Sequence, residues 1–185
     1  MNIFVLDEDP TIAAEMLCDK HCIKMILESC QLLSTAHHVC DGQQVKITGK
    51  RTYTTYDCNK PNLLKATMIN HPCTVWARAS RDNYMWLWKH AYTMCKEYTR
   101  RYGKVHKLEA LLLGDLYNPP KFIPKGKLTP FAQAMPDIYR DHNPVVAYRK
   151  YYINEKVRFA KWKKTQAPSW FVEKVVEVVP EPIPF

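Results

Sequence analysis

One segment, from Asp19 to His38, constrains the fold more than any other part of the chain. Polar side chains recur there at alternating intervals of three and four residues, so an α-helix would gather them on about a third of its circumference. This polar stripe consists of His21, Lys24, Glu28, Gln31, Thr35 and His38. The rest of the helix surface is nearly all apolar or small, and such a helix is buried with its stripe facing a cleft or an internal polar network.

The centre of the polar stripe has side chains that could line one side of a catalytic site. Glu28 has Lys24 and Gln31 one helical turn away, and a carboxylate in such a place can hold or accept a proton. His21 and His38 occupy the two ends of the stripe. The alternative interpretation is a solvated face on which Lys24 and Glu28 form an ordinary i,i+4 pair. Glu28, His21 and Lys24 are the candidate catalytic side chains.

Turn and capping residues divide the rest of the chain mainly into helices. The sequence predicts a mainly α fold, a compact single-domain helical bundle over residues 1–171. A C-terminal tail over residues 172–185 is expected to form an extended, proline-bearing arm. Alternation between Val45 and Tyr56 indicates a small β-hairpin. Further helices are predicted over residues 10–17, 72–79, 81–102, 104–113 and 144–164, with helical turns at 62–68 and 130–135.

The balance of charges points to a polyanionic partner. The chain carries 27 basic and 18 acidic residues, a formal net charge of +9, which favours nucleic acid ahead of an anionic membrane surface. No run approaches the roughly 18 apolar residues of a membrane span, and the N-terminus lacks the basic start of a signal peptide. We therefore expect a cytoplasmic protein, in the host cytoplasm if a phage encodes it, with no membrane partner.

The cysteines are interpreted as free thiols that pack as small apolar side chains. Their number, seven, is odd, and the chain shows no secretion signal. A zinc site is the alternative, because Cys18, His21 and Cys22 lie close in sequence. Their spacing does not match that of a zinc knuckle, and no second Cys-x-x-Cys follows. We expect neither a metal nor another cofactor.

Basic and aromatic side chains interleave towards the C-terminus. Between Arg140 and Lys164, lysines and arginines alternate with aromatic rings, a pattern in which cations bind phosphates and rings stack on bases. A basic solvated face over an aromatic core stripe is the alternative. The candidate nucleic-acid contacts of the whole chain are Gln31, His38, Arg51, His71, Arg78, Lys161, Lys164 and Trp170.

Three stretches of the chain have residues that point to a known family. The first runs from the N-terminus through Ala13-Ala14 to His21-x-x-Lys24. The second opens with Asn70-His71-Pro72 and reaches Arg100-Arg101-Tyr102-Gly103. The third joins Asn154-Glu155-Lys156 to Ala167-Pro168-Ser169-Trp170-Phe171. Together they span most of the chain, and in this order they resemble the pyrimidine-dimer DNA glycosylases of the endonuclease V type found in phages and prokaryotes.

The resemblance implies a compact helical domain that acts on double-stranded DNA. In that family the N-terminal α-amine attacks the sugar C1′, a Schiff base forms, and β-elimination follows at the abasic site. A Glu on the first long helix assists, no metal is needed, and a base is flipped out of the duplex. An α-amine suits this chemistry because its usual pKa near 8 leaves some neutral amine at pH 7.

The resemblance leaves the nucleophile and the acid–base group open between pairs of residues. The attacking amine would be that of Met1 or that of Asn2, and the assisting side chain would be Glu28 by its chemistry or His21 by its position. The first functional hypothesis is a glycosylase and abasic-site lyase that acts on damaged or modified bases. The alternatives are a non-catalytic nucleic-acid-binding protein on the same scaffold and an enzyme that acts on a small nucleotide or modified base.

Overall fold

A computed structural model describes residues 1–49 and 52–178 of the chain. Helices dominate, and a single antiparallel hairpin pairs Val45 with Thr55 at its centre, so the predicted mainly α fold and its small hairpin are confirmed. The elements are α1 (Pro10–Glu15), α2 (Asp19–Asp41), β1 (Gln43–Ile47), β2 (Tyr53–Asp57), α3 (Pro72–Ala77), α4 (Arg81–Tyr102), α5 (Glu109–Leu113), α6 (Pro144–Lys156) and α7 (Ser169–Val178).

Capping side chains set the beginnings of the helices. The Asp9 carboxylate accepts hydrogen bonds from the first turn of α1, at 2.7 Å from the Thr11 nitrogen. The Ser80 hydroxyl caps α4 in the same way, at 3.1 Å from the nitrogen of Asn83. Helix α4 ends at Gly103, whose φ of 66° is one that glycine adopts without steric cost. These local signals explain why the bounds of α4 match the sequence prediction.

The core lies where α1 and α2 pack along α4. Side chains such as Met25, Leu33, Leu87 and Met94 are almost completely buried there. At one end of this core the buried guanidinium of Arg101 donates to the backbone oxygens of Leu17 and Glu15, at 2.7 and 2.9 Å. Arg101 also pairs with Asp19 and Glu97, so one side chain joins the α1–α2 junction to the end of α4.

The first six residues form an irregular buried segment that packs across α2. Ile3, Phe4, Val5 and Leu6 are buried, and the ring of Phe4 stacks on that of His21 with 4.4 Å between centroids. Phe4 has a φ of 43°, which side chains other than glycine adopt at a cost. Packing of its ring therefore holds the N-terminal segment in a strained conformation beside α2.

Several helix boundaries differ from the prediction, because tertiary contacts replace local ones. Residues 64–68 are irregular and not helical, α5 begins at Glu109, and α6 ends at Lys156. Beyond α6 the chain runs over the start of α2, where the Asp19 carboxylate accepts a bond of 2.8 Å from the Lys163 nitrogen. Residues 172–178 of the expected tail continue α7, so that stretch is not an extended arm. The rest of the predicted arm, residues 179–185, lies outside the described residues.

Candidate active site

The N-terminal segment meets the centre of the polar stripe. The backbone nitrogen of Asn2 donates to Oε2 of Glu28 across 3.1 Å, and Oε1 of Glu28 lies 3.1 Å from Nζ of Lys24. The Glu28 side chain is 14% exposed and that of Lys24 is 64% exposed, so the carboxylate lies in a recess beside a solvated cation. The sequence predicted that Lys24 and Glu28 lie together, and the structure shows that the N-terminal segment also contacts Glu28.

The side chain of Asn2 fixes the position of its own backbone. Its Oδ1 accepts from the nitrogens of Ile3 and Phe4, at 2.8 and 3.1 Å. Its Nδ2 donates to the backbone oxygen of Ala134 at 2.8 Å. The loop that carries Ala134 is held in turn by the buried hydroxyl of Tyr148, which donates to the oxygen of Ala132 at 2.7 Å. The Asn2 nitrogen that donates to Glu28 is therefore fixed by hydrogen bonds within the N-terminal segment. It is also fixed by the loop that carries Ala134, which Tyr148 of α6 holds in place.

His71 joins the same cluster from α3. Its Nδ1 caps that helix by accepting from the Cys73 nitrogen at 3.2 Å, which leaves the proton of a neutral ring on Nε2. Burial lowers the pKa of His71, the positive N-terminal amine lowers it further, and Glu28 opposes the shift. Burial also raises the pKa of the neighbouring Cys73 to about 11, so this thiol stays protonated at neutral pH. His71 was expected to contact nucleic acid, and the structure places it beside the Glu28 recess.

His21 lies under the N-terminal segment as a packed, neutral ring. Its Nδ1 lies 2.8 Å from the Tyr152 hydroxyl, and Phe4 stacks on its face. Burial lowers the pKa of His21 to about 3, and nearby lysines add to the shift. The ring is therefore uncharged at neutral pH and supports Phe4, whereas Glu28 is the side chain that contacts the N-terminal backbone.

The far end of the polar stripe, where His38 was expected to contact nucleic acid, is buried. Its Nε2 lies 3.1 Å from the oxygen of Leu64, and its Nδ1 accepts from the Cys58 nitrogen at 3.2 Å. Both ring nitrogens are thus engaged by the backbone. Thr35 is buried too, whereas Ile23 and Leu27 are exposed, so the solvent-facing sector of α2 is rotated relative to the predicted stripe. Gln31 is half-buried one turn beyond Glu28.

Two further candidate contacts are engaged in packing. The half-buried Arg78 donates from Nη1 to the backbone oxygen of Ile69 at 2.8 Å and so holds the loop before α3. Trp170 is half-buried, with its Nε1 3.4 Å from Sδ of Met16 and its ring 5.3 Å from the Arg149 guanidinium carbon. Arg51, the remaining arginine among the candidate contacts, lies outside the described residues.

Lys161 and Lys164 lie on an exposed basic loop at the start of α2. The loop is attached there because Lys161 accepts a backbone bond of 2.9 Å from Asp19. Nine residues of α2 separate Asp19 from Glu28, a rise of about 14 Å along the helix axis. Exposed Lys20 and Lys24 lie on the intervening turns. This basic flank, formed by Lys20, Lys24, Lys161 and Lys164, therefore extends from the Glu28 recess to the start of α2.

A cavity of about 620 Å³ lies elsewhere, between the hairpin and residues 59–66. His38 contributes to its lining, together with Tyr53, Tyr56 and Lys60, whereas Glu28 does not. Among residues 1–49 and 52–178, no three His, Cys, Asp or Glu side chains are grouped as metal ligands, and the absence of a cofactor stays a prediction. Within the same ranges no helix is long and apolar enough to cross a membrane.

Sequence reasoning missed the contribution of side chains that position the N-terminus. Phe4, Tyr148 and Tyr152 hold the segment that brings Asn2 to Glu28. Helical periodicity carries no information about these contacts, because Phe4 lies outside any helix and the two tyrosines come from α6. One signal was available in the sequence: the first residues are mostly apolar and the next three are acidic, a pattern that indicates a buried segment at the start of the chain.

Comparison with known families gives a match that covers α1 to α4. The sequence model of the pyrimidine dimer DNA glycosylase family matches residues 1–110, which include Asn2, Lys24, Glu28 and His71. The chain belongs to this family. Membership indicates a DNA-repair protein of the glycosylase type with DNA as its substrate. No curated protein and no solved structure matched the chain.

Proposed function

We propose that this family member is a glycosylase and abasic-site lyase that uses its N-terminal amine as the nucleophile and Glu28 as the acid–base group. The distance of 3.1 Å between the Asn2 nitrogen and Glu28 Oε2 carries the proposal. A nucleophile and a base within hydrogen-bond distance of each other are the arrangement that covalent catalysis requires. Double-stranded DNA carrying a damaged or modified base is the proposed substrate.

The proposed reaction forms and breaks bonds at the sugar of the damaged nucleotide. The lone pair of the amine forms a bond to C1′ as the N-glycosidic bond breaks, and the base leaves with its electron pair and takes a proton from water. Glu28 accepts the proton that the amine loses and passes it to the ring oxygen O4′ as the sugar opens, which leaves a protonated imine between C1′ and the same nitrogen. Loss of a proton from C2′ and of the phosphate from C3′ cleaves the strand, and water releases the product from the imine.

The proposal requires a free amine at Asn2. In the structure this nitrogen belongs to the peptide bond with Met1, a half-buried residue. Removal of Met1 would create an α-amine beside Glu28. Because Asn2 is held by its side chain and not by Met1, we expect the position of the nitrogen to survive the removal.

Two neighbouring side chains have supporting roles in the proposal. Lys24 places a positive charge 3.1 Å from Glu28 and projects into solvent, where it can bind a phosphate next to the reacting sugar. Neutral His71 offers its Nε2 proton to the same recess, where a sugar oxygen or the departing base would accept it. The basic flank would then bind the strand along α2.

Strand cleavage by defined variants tests the proposal. Duplexes with one thymine dimer or one abasic site are incubated with the protein that begins at Asn2, with the same protein acetylated at its N-terminus, and with Glu28→Gln. We expect cleavage by the free amine, none by the acetylated form, and a loss of at least about a hundredfold for Glu28→Gln, which keeps the shape but not the charge. Equal cleavage by all three would overturn the proposal.

The residue after Met1 favours a second candidate, a nucleic-acid-binding protein without catalysis, because methionine is less readily removed before a residue as large as Asn2. With Met1 in place, the nitrogen beside Glu28 is an amide and cannot act as a nucleophile. The protein isolated from its natural source would then keep Met1, bind duplex DNA in a salt-sensitive way and leave both substrates intact. Cleavage by the natural form would exclude this candidate.

A further inference from the structure

Met68 combines an exposed apolar side chain with a strained backbone. Its φ is 45°, a conformation that residues with a side chain rarely adopt, and the residue is 53% exposed. Glycine would take this conformation without cost. Strain of this kind persists where the surrounding structure imposes it, and it is concentrated at sites that bind ligands.

The loop around Met68 is fastened on both sides. The nitrogen of Thr67 donates to Oγ1 of Thr35 at 3.1 Å, and the oxygen of Met68 accepts from the His71 nitrogen at 2.9 Å. Arg78 holds the next residue through the bond of 2.8 Å to the Ile69 oxygen. The backbone is thus held in place while the Met68 side chain projects into solvent.

These attachments place Met68 at the rim of the Glu28 recess. Thr35 follows Glu28 by seven residues on α2, which is two turns along the same face. The backbone nitrogen of His71 donates to Met68, and the pKa of the His71 ring is shifted by the charges of Glu28 and of the N-terminal amine. Leu27 and Val75, which lie next to Glu28 and one turn after His71, are also exposed, so apolar side chains surround the polar recess.

We propose that Met68 is a wedge that enters the base stack of duplex DNA beside the nucleotide whose sugar reaches the recess. The inference rests on the proposed function, because that reaction draws a nucleotide out of the stack. Apolar side chains inserted at a base step offset the lost stacking and keep the duplex open. The methionine side chain is flexible and polarisable, which suits a gap between bases of varying identity. The basic flank, on the other side of the recess from Met68, supplies positive charge for the phosphates of the strand.

Met68→Gly tests the wedge, because it removes the side chain and relieves the backbone strain together. We measure cleavage of an abasic site in a duplex and in a single strand, and the fluorescence of 2-aminopurine placed next to that site in the duplex. For Met68→Gly we expect the duplex-to-single-strand ratio of kcat/KM to fall about tenfold and the fluorescence increase on binding to be lost. Met68→Leu should restore both.

Asn59→Gly is the matched control, since Asn59 also has a positive φ, of 56°, and lies by the hairpin. It should leave the ratio and the fluorescence at the wild-type level. A wild-type ratio and fluorescence signal in Met68→Gly would overturn the inference. So would a wild-type protein that dimerises in solution and a Met68→Gly variant that is monomeric, because a second copy of the chain would then cover Met68. The fluorescence arm requires binding and no chemistry, so the wedge can succeed or fail independently of the lyase reaction.

Discussion

His90 is a buried histidine on α4 whose ring nitrogens have no hydrogen-bond partner among the described residues. Its ring stacks on Trp86 with 5.1 Å between centroids. Burial lowers the pKa of His90 to about 3, whereas a histidine in an unfolded chain titrates near 6.5. Between these values the unfolded state binds the extra proton, so the free energy of unfolding falls as the pH drops below about 6.5.

We expect His90→Phe to make the protein less sensitive to acid. Phenylalanine keeps the stacking on Trp86 and removes both the buried nitrogens and the titration. The slope of the free energy of unfolding between pH 6 and pH 4 should decrease by up to about 1.4 kcal/mol per pH unit. Urea denaturation at a series of pH values measures this slope. His142→Gln is the control, because that side chain is 98% exposed, and an equal effect there would contradict the assignment.

The residues of the recess show how much of a site the sequence can reveal. Helical periodicity brought Lys24, Glu28 and Gln31 together, because the spacing along one helix is fixed by geometry. The same periodicity could not show that Asn2 contacts Glu28 or that the charge of Glu28 acts on His71, since these residues come from separate segments. It also placed His38 in the site, although the backbone of residues 58 and 64 occupies its nitrogens.

Arg101 is the joint between the end of α4 and the junction of α1 with α2. Its guanidinium is completely buried and binds two carboxylates and two backbone oxygens. A buried ion pair contributes little by itself, but loss of one partner leaves the other charges buried and unpaired. The orientation of α2, and with it the position of Glu28, therefore depends on this side chain.

Arg101→Met is expected to lower the free energy of unfolding by about 3–5 kcal/mol, since Glu97 loses its buried partner. Arg100 is the matched control, because it contacts the same carboxylate at 2.6 Å but is half-exposed. Arg100→Met should cost at most about 1 kcal/mol. Chemical denaturation of both variants measures the difference, and equal losses would show that burial of Arg101 is not the deciding factor.

Helix boundaries were predictable where a local signal determines them. Ser80 and Gly103 bracket α4 through a capping hydroxyl and a positive φ, and both can be read from the sequence. The end of α6 could not be predicted, because residues after Lys156 leave the helix to bond with the start of α2. Residues 64–68 likewise do not form the predicted helical turn, because the nitrogens of Leu64 and Thr67 donate to the side chains of Ser34 and Thr35.

At the scale of the whole molecule, part of the excess positive charge lies on one surface, the basic flank. Lys161 and Lys164 extend this surface beyond the start of α2. Each lysine that neutralises a phosphate releases counterions, so affinity for duplex DNA falls with salt. The predicted polyanionic partner agrees with the DNA substrate of the family, whereas the sequence could not show which of the lysines share one surface.

Replacing Lys161 and Lys164 by glutamine should reduce the slope of log K against log salt concentration by about 2. Lys125 and Lys127 provide the control pair, since they lie near Ser80, which is about 32 Å from Arg101 along the axis of α4. Fluorescence anisotropy with a labelled duplex at several salt concentrations gives the slopes. A larger change for the control pair would contradict the assignment of the basic flank.

The most direct test of the central claim is to identify the nitrogen that becomes bonded to the sugar. The protein is incubated with an abasic duplex and sodium borohydride, which reduces the imine to a stable amine, and the adduct is located by peptide mass spectrometry. The account predicts an adduct on the α-nitrogen of Asn2, formed only after loss of Met1 and strongly reduced in Glu28→Gln. An adduct on Nζ of Lys24 or on Met1, or retained DNA binding without any adduct, would contradict it.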